Sequence, residues 1–137
     1  MFFKKEDKKE DIPLSKIGSL LIHAAKIDEH YSNDEEEIIK KTLISLGAKK
    51  EDISDLIKTS IKEEKNSNQI LEFTKEVKNL PETDKTKIIE ALWKIIYSNQ
   101  NADIYETNLM RRLAGLLYID SKTMGDIKEK IKMEYSK

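Results

Sequence analysis

The chain has 137 residues, of which 37% are charged and 38% fall among AVILMFWYC, and its formal net charge is -1. That length encloses one hydrophobic core and the composition excludes wholesale disorder, while the balanced charge lacks the basic surplus of a generic nucleic-acid binder. The absence of cysteine excludes disulfides, thiolate zinc sites and cysteine nucleophiles, and His23 and His30, the only imidazoles, leave few centres for metal or triad chemistry.

Residues 1–13 read as a flexible charged lead, because Met1-Phe2-Phe3 is followed by an unbroken charged run from Lys4 to Asp11 with no apolar stretch for a signal peptide. Phe2 and Phe3 are weighed as a membrane contact, but a frayed terminus fits the mixed charges better. Residues 14–137 are assigned to one helical domain. No segment approaches the roughly 18–20 uninterrupted apolar residues of a membrane helix, so a soluble, cytoplasmic protein with no membrane span is expected. Glycine occurs only at 18, 47, 115 and 125 and proline only at 13 and 81, which leaves few breakers and few hairpin turns.

Apolar spacing then carries the assignment. Ile17, Leu20, Leu21 and Ala24 fall at i, i+3, i+4 and i+7, and Ile70, Phe73, Thr74 and Val77 repeat that interval. Ile53, Leu56, Ile57 and Ile61 mark a shorter stripe; Ile88, Ile89, Leu92, Ile95 and Ile96 mark a long one, followed by Leu109, Met110, Leu113, Ala114 and Leu117. The expected fold is all-α, a compact bundle of about seven helices over 14–30, 34–46, 51–64, 67–79, 82–98, 104–117 and 122–134. Gly47 suits a C-terminal cap of the second helix, and Pro81 the first turn of the fifth.

Shifting the chain by 71 positions without a gap lays Leu21 on Leu92, Ile38 on Leu109, Ile39 on Met110, Leu46 on Leu117, Ile53 on Met124 and Leu56 on Ile127. Ser32 falls on Asp103 and Glu35 on Glu106, so each half carries a helix-starting residue with glutamate three positions later, the capping-box spacing. Two pseudo-repeated halves are expected, bridged by the fourth helix.

Each repeat holds a helix end with small or aromatic residues, an acidic or amide position, and a glutamate seven positions on. In the first half this runs from Ala24-Ala25 through Asp28 to Glu35, and in the second from Tyr97 through Asn99 to Glu106. With Arg111-Arg112-Leu113-Ala114-Gly115-Leu116-Leu117-Tyr118, these segments resemble the TerB-like (tellurite-resistance TerB) family over roughly residues 14–134. The resemblance implies a compact all-helical domain with two A-D-G-x-x-x-x-x-E segments. It also implies a divalent-cation cofactor held at Asp28, Glu35, Asn99 and Glu106. This sequence departs from the pattern: Glu29 and Gln100 stand where glycine follows the acidic position, and Asn99 where the second aspartate would be.

Those four positions offer oxygen ligands of the kind hard divalent cations prefer. Glu35 and Glu106 also sit where a capping-box glutamate reaches back to the cap, and where a carboxylate favours the helix dipole, so capping explains both without an ion. Asn99, Asn101 and Asp103 have the spacing of a calcium-loop start, but Ile104 and Met110 stand where glycine and glutamate are required, which excludes a standard EF-hand. His30 is read as a solvated or capping residue rather than a ligand, His23 as partly buried, Trp93 as core, and Asp34 to Glu37 as a solvated first turn. One of Arg111 and Arg112 is expected to form a structural bridge with a helix-start glutamate rather than to bind a substrate.

No glycine-rich phosphate loop, Ser/His/Asp arrangement or H-E-x-x-H pair supports an enzyme. The expected function is a binding or scaffold module with a protein partner and no nucleic acid, which the resemblance links to divalent metal and to stress or tellurite resistance. The alternatives are a metal-dependent hydrolytic enzyme using the acidic cluster, which needs an open coordination position, and a co-chaperone accessory domain. Similar domains are fused to J domains, but this chain has no H-P-D tripeptide.

Overall fold

A computed structural model describes residues 14–26, 32–66, 71–98 and 104–135. In chain order its helices are α1 (Leu14–Ala25), α2 (Asn33–Ser45), a 3-10 turn (Lys50–Asp52) running into α3 (Ile53–Lys65), α4 (Leu71–Val77), α5 (Glu82–Ser98), α6 (Ile104–Leu116) and α7 (Ser121–Tyr135). No strand occurs among the described residues. The all-α expectation therefore holds, and the fifth helix has the bounds its periodicity predicts. The end of the first predicted helix, 27–30, lies outside the described residues; the fourth stops at Val77, where Lys78 to Leu80 turn toward Pro81. Pro81 stands one place earlier than expected, just before α5, where its carbonyl accepts from the N–H groups of Asp84 and Lys85 at 3.0 Å each. A proline fits there because no hydrogen bond is asked of its nitrogen.

The repeat is visible in the backbone. Helices α2 and α6 begin and end at positions 71 apart, and they stop in the same way. Ala48 N–H donates to Leu43 O at 2.9 Å and Gly47 N–H to Ile44 O at 3.0 Å; Ile119 N–H donates to Ala114 O at 2.9 Å and Tyr118 N–H to Gly115 O at 3.3 Å. Both are Schellman turns, in which the residue after the cap takes positive φ so that the last carbonyls find donors. Gly47 has φ 121 and Tyr118 has φ 59.

At the centre, α1 and α5 pack on each other, α1 carrying α3 and α5 carrying α7 in its most extensive contacts. Helix α4 packs on α1 of the first half and α6 of the second, the bridging place its order predicts. Helix α1 is apolar on nearly every side because neighbours surround it: Ile17, Leu20, Leu21 and Ile22 are all inaccessible, as are Ile88, Ile89, Leu92 and Ile95 on α5. Truncating any one of these to alanine removes contacts worth about 2–5 kcal/mol. Buried residues of both halves belong to one hydrophobic cluster.

Where α1 crosses α3 the backbones come close. A Cβ added to Gly18 would lie 2.9 Å from Ser60 Cβ and nearer still to Ser60 Oγ. Ser19 Oγ lies 2.9 Å from both Ser15 O and Ser60 O, and Ser60 Oγ donates to Leu56 O at 2.9 Å. Small hydroxyl side chains thus fill the crossing while returning their protons to backbone carbonyls, which keeps buried polar atoms satisfied.

Candidate functional site

The junction between α1 and α2 is built by the sequence Ser32-Asn33-Asp34-Glu35. Ser32 adopts extended backbone (φ -92, ψ 168), its Oγ accepts from Glu35 N–H at 3.1 Å, and its own N–H donates to Glu35 Oε1 at 2.8 Å. The reciprocal pair satisfies two donors that a helix start leaves without intrahelical partners. Glu35 is fully buried. Asp34 and Glu37 face solvent and Glu36 pairs with Lys40 at 3.2 Å, so the acidic run is a solvated first turn apart from Glu35.

Of the four expected ligand positions, Glu35 alone has a described side chain. Asp28 and Asn99 lie outside the described residues, as does His30; Glu106 occupies the third position of α6, as Glu35 does of α2, with its side chain outside them too. Among the described residues no three or more His, Asp or Glu side chains converge as a group that could hold a metal ion. One oxygen of Glu35 accepts from the Ser32 N–H, the capping role its spacing offers.

An ionic cluster that sequence reasoning missed secures the same end of α1. Glu64, in the last turn of α3, receives Lys26 Nζ at 3.0 Å on Oε1 and has His23 Nδ1 3.3 Å from Oε2. His23 is about one third exposed, in line with the partly buried position expected of it. The pairing spans some forty positions of sequence, and the only local signal was that His23 and Lys26 share a face of α1 at i and i+3.

The second half ends differently. Lys85, buried on α5, donates to Leu117 O at 2.9 Å, placing a cation at the C-terminus of α6, where the helix dipole favours it. Tyr118 lies beside it, 68% exposed, with Lys78 Nζ 5.6 Å and Lys85 Nζ 6.0 Å from its ring centroid. Asp120 then caps α7, accepting from Thr123 N–H at 2.7 Å. That backbone hydrogen bond, more than the side-chain bond to Thr123, holds the Asp120 carboxyl below its ordinary range.

Trp93 is buried, as expected, and stacks on Tyr97 with ring centroids 5.9 Å apart. Burial first, and then the charge of Glu129, raises the Tyr97 phenol above its usual range. The arginine expectation is corrected: Arg111 Nη1 donates to Asn108 Oδ1 at 3.4 Å, and neither Arg111 nor Arg112 forms an ion pair among the described residues. Both are exposed on α6, where solvation competes with any fixed pairing. No helix among the described residues is long and apolar enough to cross a membrane.

A family model described as tellurite resistance protein TerB matches residues 15–129. No curated protein and no solved structure matches the chain. The match spans most of the sequence and agrees with the all-helical fold, and the chain belongs to the TerB family.

Proposed function

We propose that this member of the TerB family is a cytoplasmic, non-catalytic binding or scaffold module whose two repeat junctions set its response to divalent cations. The observation that carries the reading is the capping box at Ser32 and Glu35. A fully buried carboxylate accepting from a backbone N–H at 2.8 Å holds a junction in place; it is badly placed to move protons on a substrate.

Asp28, Glu35, Asn99 and Glu106 are the proposed cation positions, and no chemical step is routed through an ion. Their oxygen chemistry suits calcium or magnesium. Because Glu35 already serves the cap, an ion that recruited it would act on the start of α2, so binding and fold stability are coupled at that point. A stress or tellurite-resistance role and a protein partner belong to the same proposal.

The test is titration of metal-stripped protein with calcium, magnesium and zinc, with thermal unfolding followed for wild type, Asn99→Asp and Glu35→Gln. Asn99→Asp is expected to bind more tightly and, if the two loops converge, to unfold at lower temperature without ion through carboxylate repulsion. Absence of binding in all three proteins, with no ion-dependent rise in unfolding temperature, defeats cation responsiveness and leaves a scaffold whose glutamates serve as caps.

A further inference from the structure

A groove of about 260 Å³ opens between α5, α6 and α7. Its lining combines the apolar surfaces of Trp93, Met110 and Met124 with the cations Arg111 and Lys128, and no carboxylate lines it among the described residues. A mostly apolar concavity with a few polar groups is the usual form of a small-molecule site, and this volume lies just below the range for drug-sized ligands.

Three observations specify the chemistry of the occupant. Arg111 and Lys128 form no ion pair among the described residues; Lys128 Nζ instead lies 5.4 Å from the centroid of the Trp93 ring. Trp93 is 4% exposed, yet its Nε1–H finds no acceptor among the described residues, a condition that buried donors rarely tolerate. Gly125 sits inside α7, where glycine costs helix stability, and a Cβ there would meet nothing within 4 Å. The groove therefore has open space and two cations without anionic partners among the described residues.

We infer that this groove binds a small amphipathic carboxylate, its apolar body against Met110, Met124 and the indole and its anionic head between Lys128 and Arg111. A carboxylate that draws the Lys128 ammonium off the ring gains a charge-assisted hydrogen bond. An amine of the same shape meets two like charges, and a carboxylate without an apolar body loses the contacts along the groove.

The experiment uses octanoate as probe and the emission of Trp93, the chain's only tryptophan, as readout. Octanoate is expected to give a saturable change that octylamine and acetate do not. Lys128→Gln/Arg111→Gln, whose parent side chains are not needed for folding contacts in the core, is expected to weaken binding at least about tenfold. Gly125→Leu, which fills the groove with a good helix former, is expected to weaken it comparably without lowering the unfolding temperature. The inference is overturned by a flat titration, by an equal response to octylamine, or by unchanged octanoate affinity in either variant. A response confined to a protein partner rather than to octanoate likewise overturns it.

Discussion

The two halves share a backbone and differ at the point where their long helices cross. In the first half Gly18 and Ser60 let α1 and α3 approach closely, with Ser19 adding a hydroxyl bond to the Ser60 carbonyl. The positions 71 residues later are Ile89 and Ile131, both fully buried, where α5 packs on α7, and Ser19 is replaced by Glu90, which receives Lys130 at 2.8 Å. Leu43 of α2, whose Cδ1 lies 3.5 Å from the Cβ position of Gly18, corresponds in sequence to Ala114 of α6. The repeat thus keeps the bounds of α2 in α6 while the helix crossing changes from small residues to large apolar ones, each filling its own space to close packing.

The largest expected effect separates the two crossings. Ile89→Gly should destabilise the protein by about 3–6 kcal/mol, combining a large core cavity with glycine in a helix. Gly18→Ala should cost about 1–3 kcal/mol by overpacking, and Ser60→Ala, by removing the nearest obstructing atom, should lessen that cost when combined with it. Denaturant unfolding of the four proteins decides the matter; additive single effects at Gly18 and Ser60 would break the account of a close crossing.

The helix ends sharpen the comparison. Gly47 and Tyr118 occupy the same place in equivalent Schellman turns, and a Cβ at Gly47 meets nothing within 4 Å, so any penalty there is purely one of backbone. Gly47→Ala should cost about 1–2 kcal/mol. Tyr118→Gly should be nearly neutral, because relief of the positive φ is offset by loss of the ring contacts with Lys78 and Lys85. Equal destabilisation by both substitutions, measured as shifts of denaturant midpoint, would contradict the assigned strain at Tyr118.

A smaller contrast lies one step further along. The first half starts its third helix through a 3-10 turn after Lys49, which makes no side-chain cap, whereas the equivalent Asp120 caps α7. Asp120→Ala should lower stability, and the loss should depend on pH. The folded carboxyl titrates below its unfolded value of about 3.9, so the stabilisation is present above that pH and disappears as pH falls through the lower folded value. Unfolding midpoints of wild type and variant should therefore converge in acid; a gap of constant size from pH 7 to below pH 3 would exclude the carboxylate as its source.

Much of this architecture is legible from local pattern. The stripes from Ile17 to Ala24 and from Ile88 to Ile96 fix two central helices because burial on several sides demands apolar residues at close intervals. Gly47 and the Ser32/Glu35 spacing mark turn and cap because each answers a requirement within five residues of chain. Tyr118 was hidden, since nothing in its neighbourhood signals positive φ and only alignment with Gly47 reveals it. Lys85 and Glu64 were hidden for another reason: their partners lie more than thirty positions away, and no periodicity encodes which charged side chain folds inward. For the candidate site, sequence located Glu35 and offered both ligand and cap as roles; the geometry adds the cap, while Asp28 and Asn99 fall outside the described residues.

Lys85 turns the end of α6 into a place where opening can be timed. It is the one buried lysine among the described residues, and its ammonium is held against Leu117 O, so an acylating reagent reaches that nitrogen only when the α6 terminus detaches. Exposed lysines react at rates set by the reagent, whereas Lys85 reacts at a rate set by the population of the detached form. Site-resolved labelling along a time course therefore reads the local opening equilibrium of the second half directly, with the neighbouring Lys87 on the same helix as its internal clock.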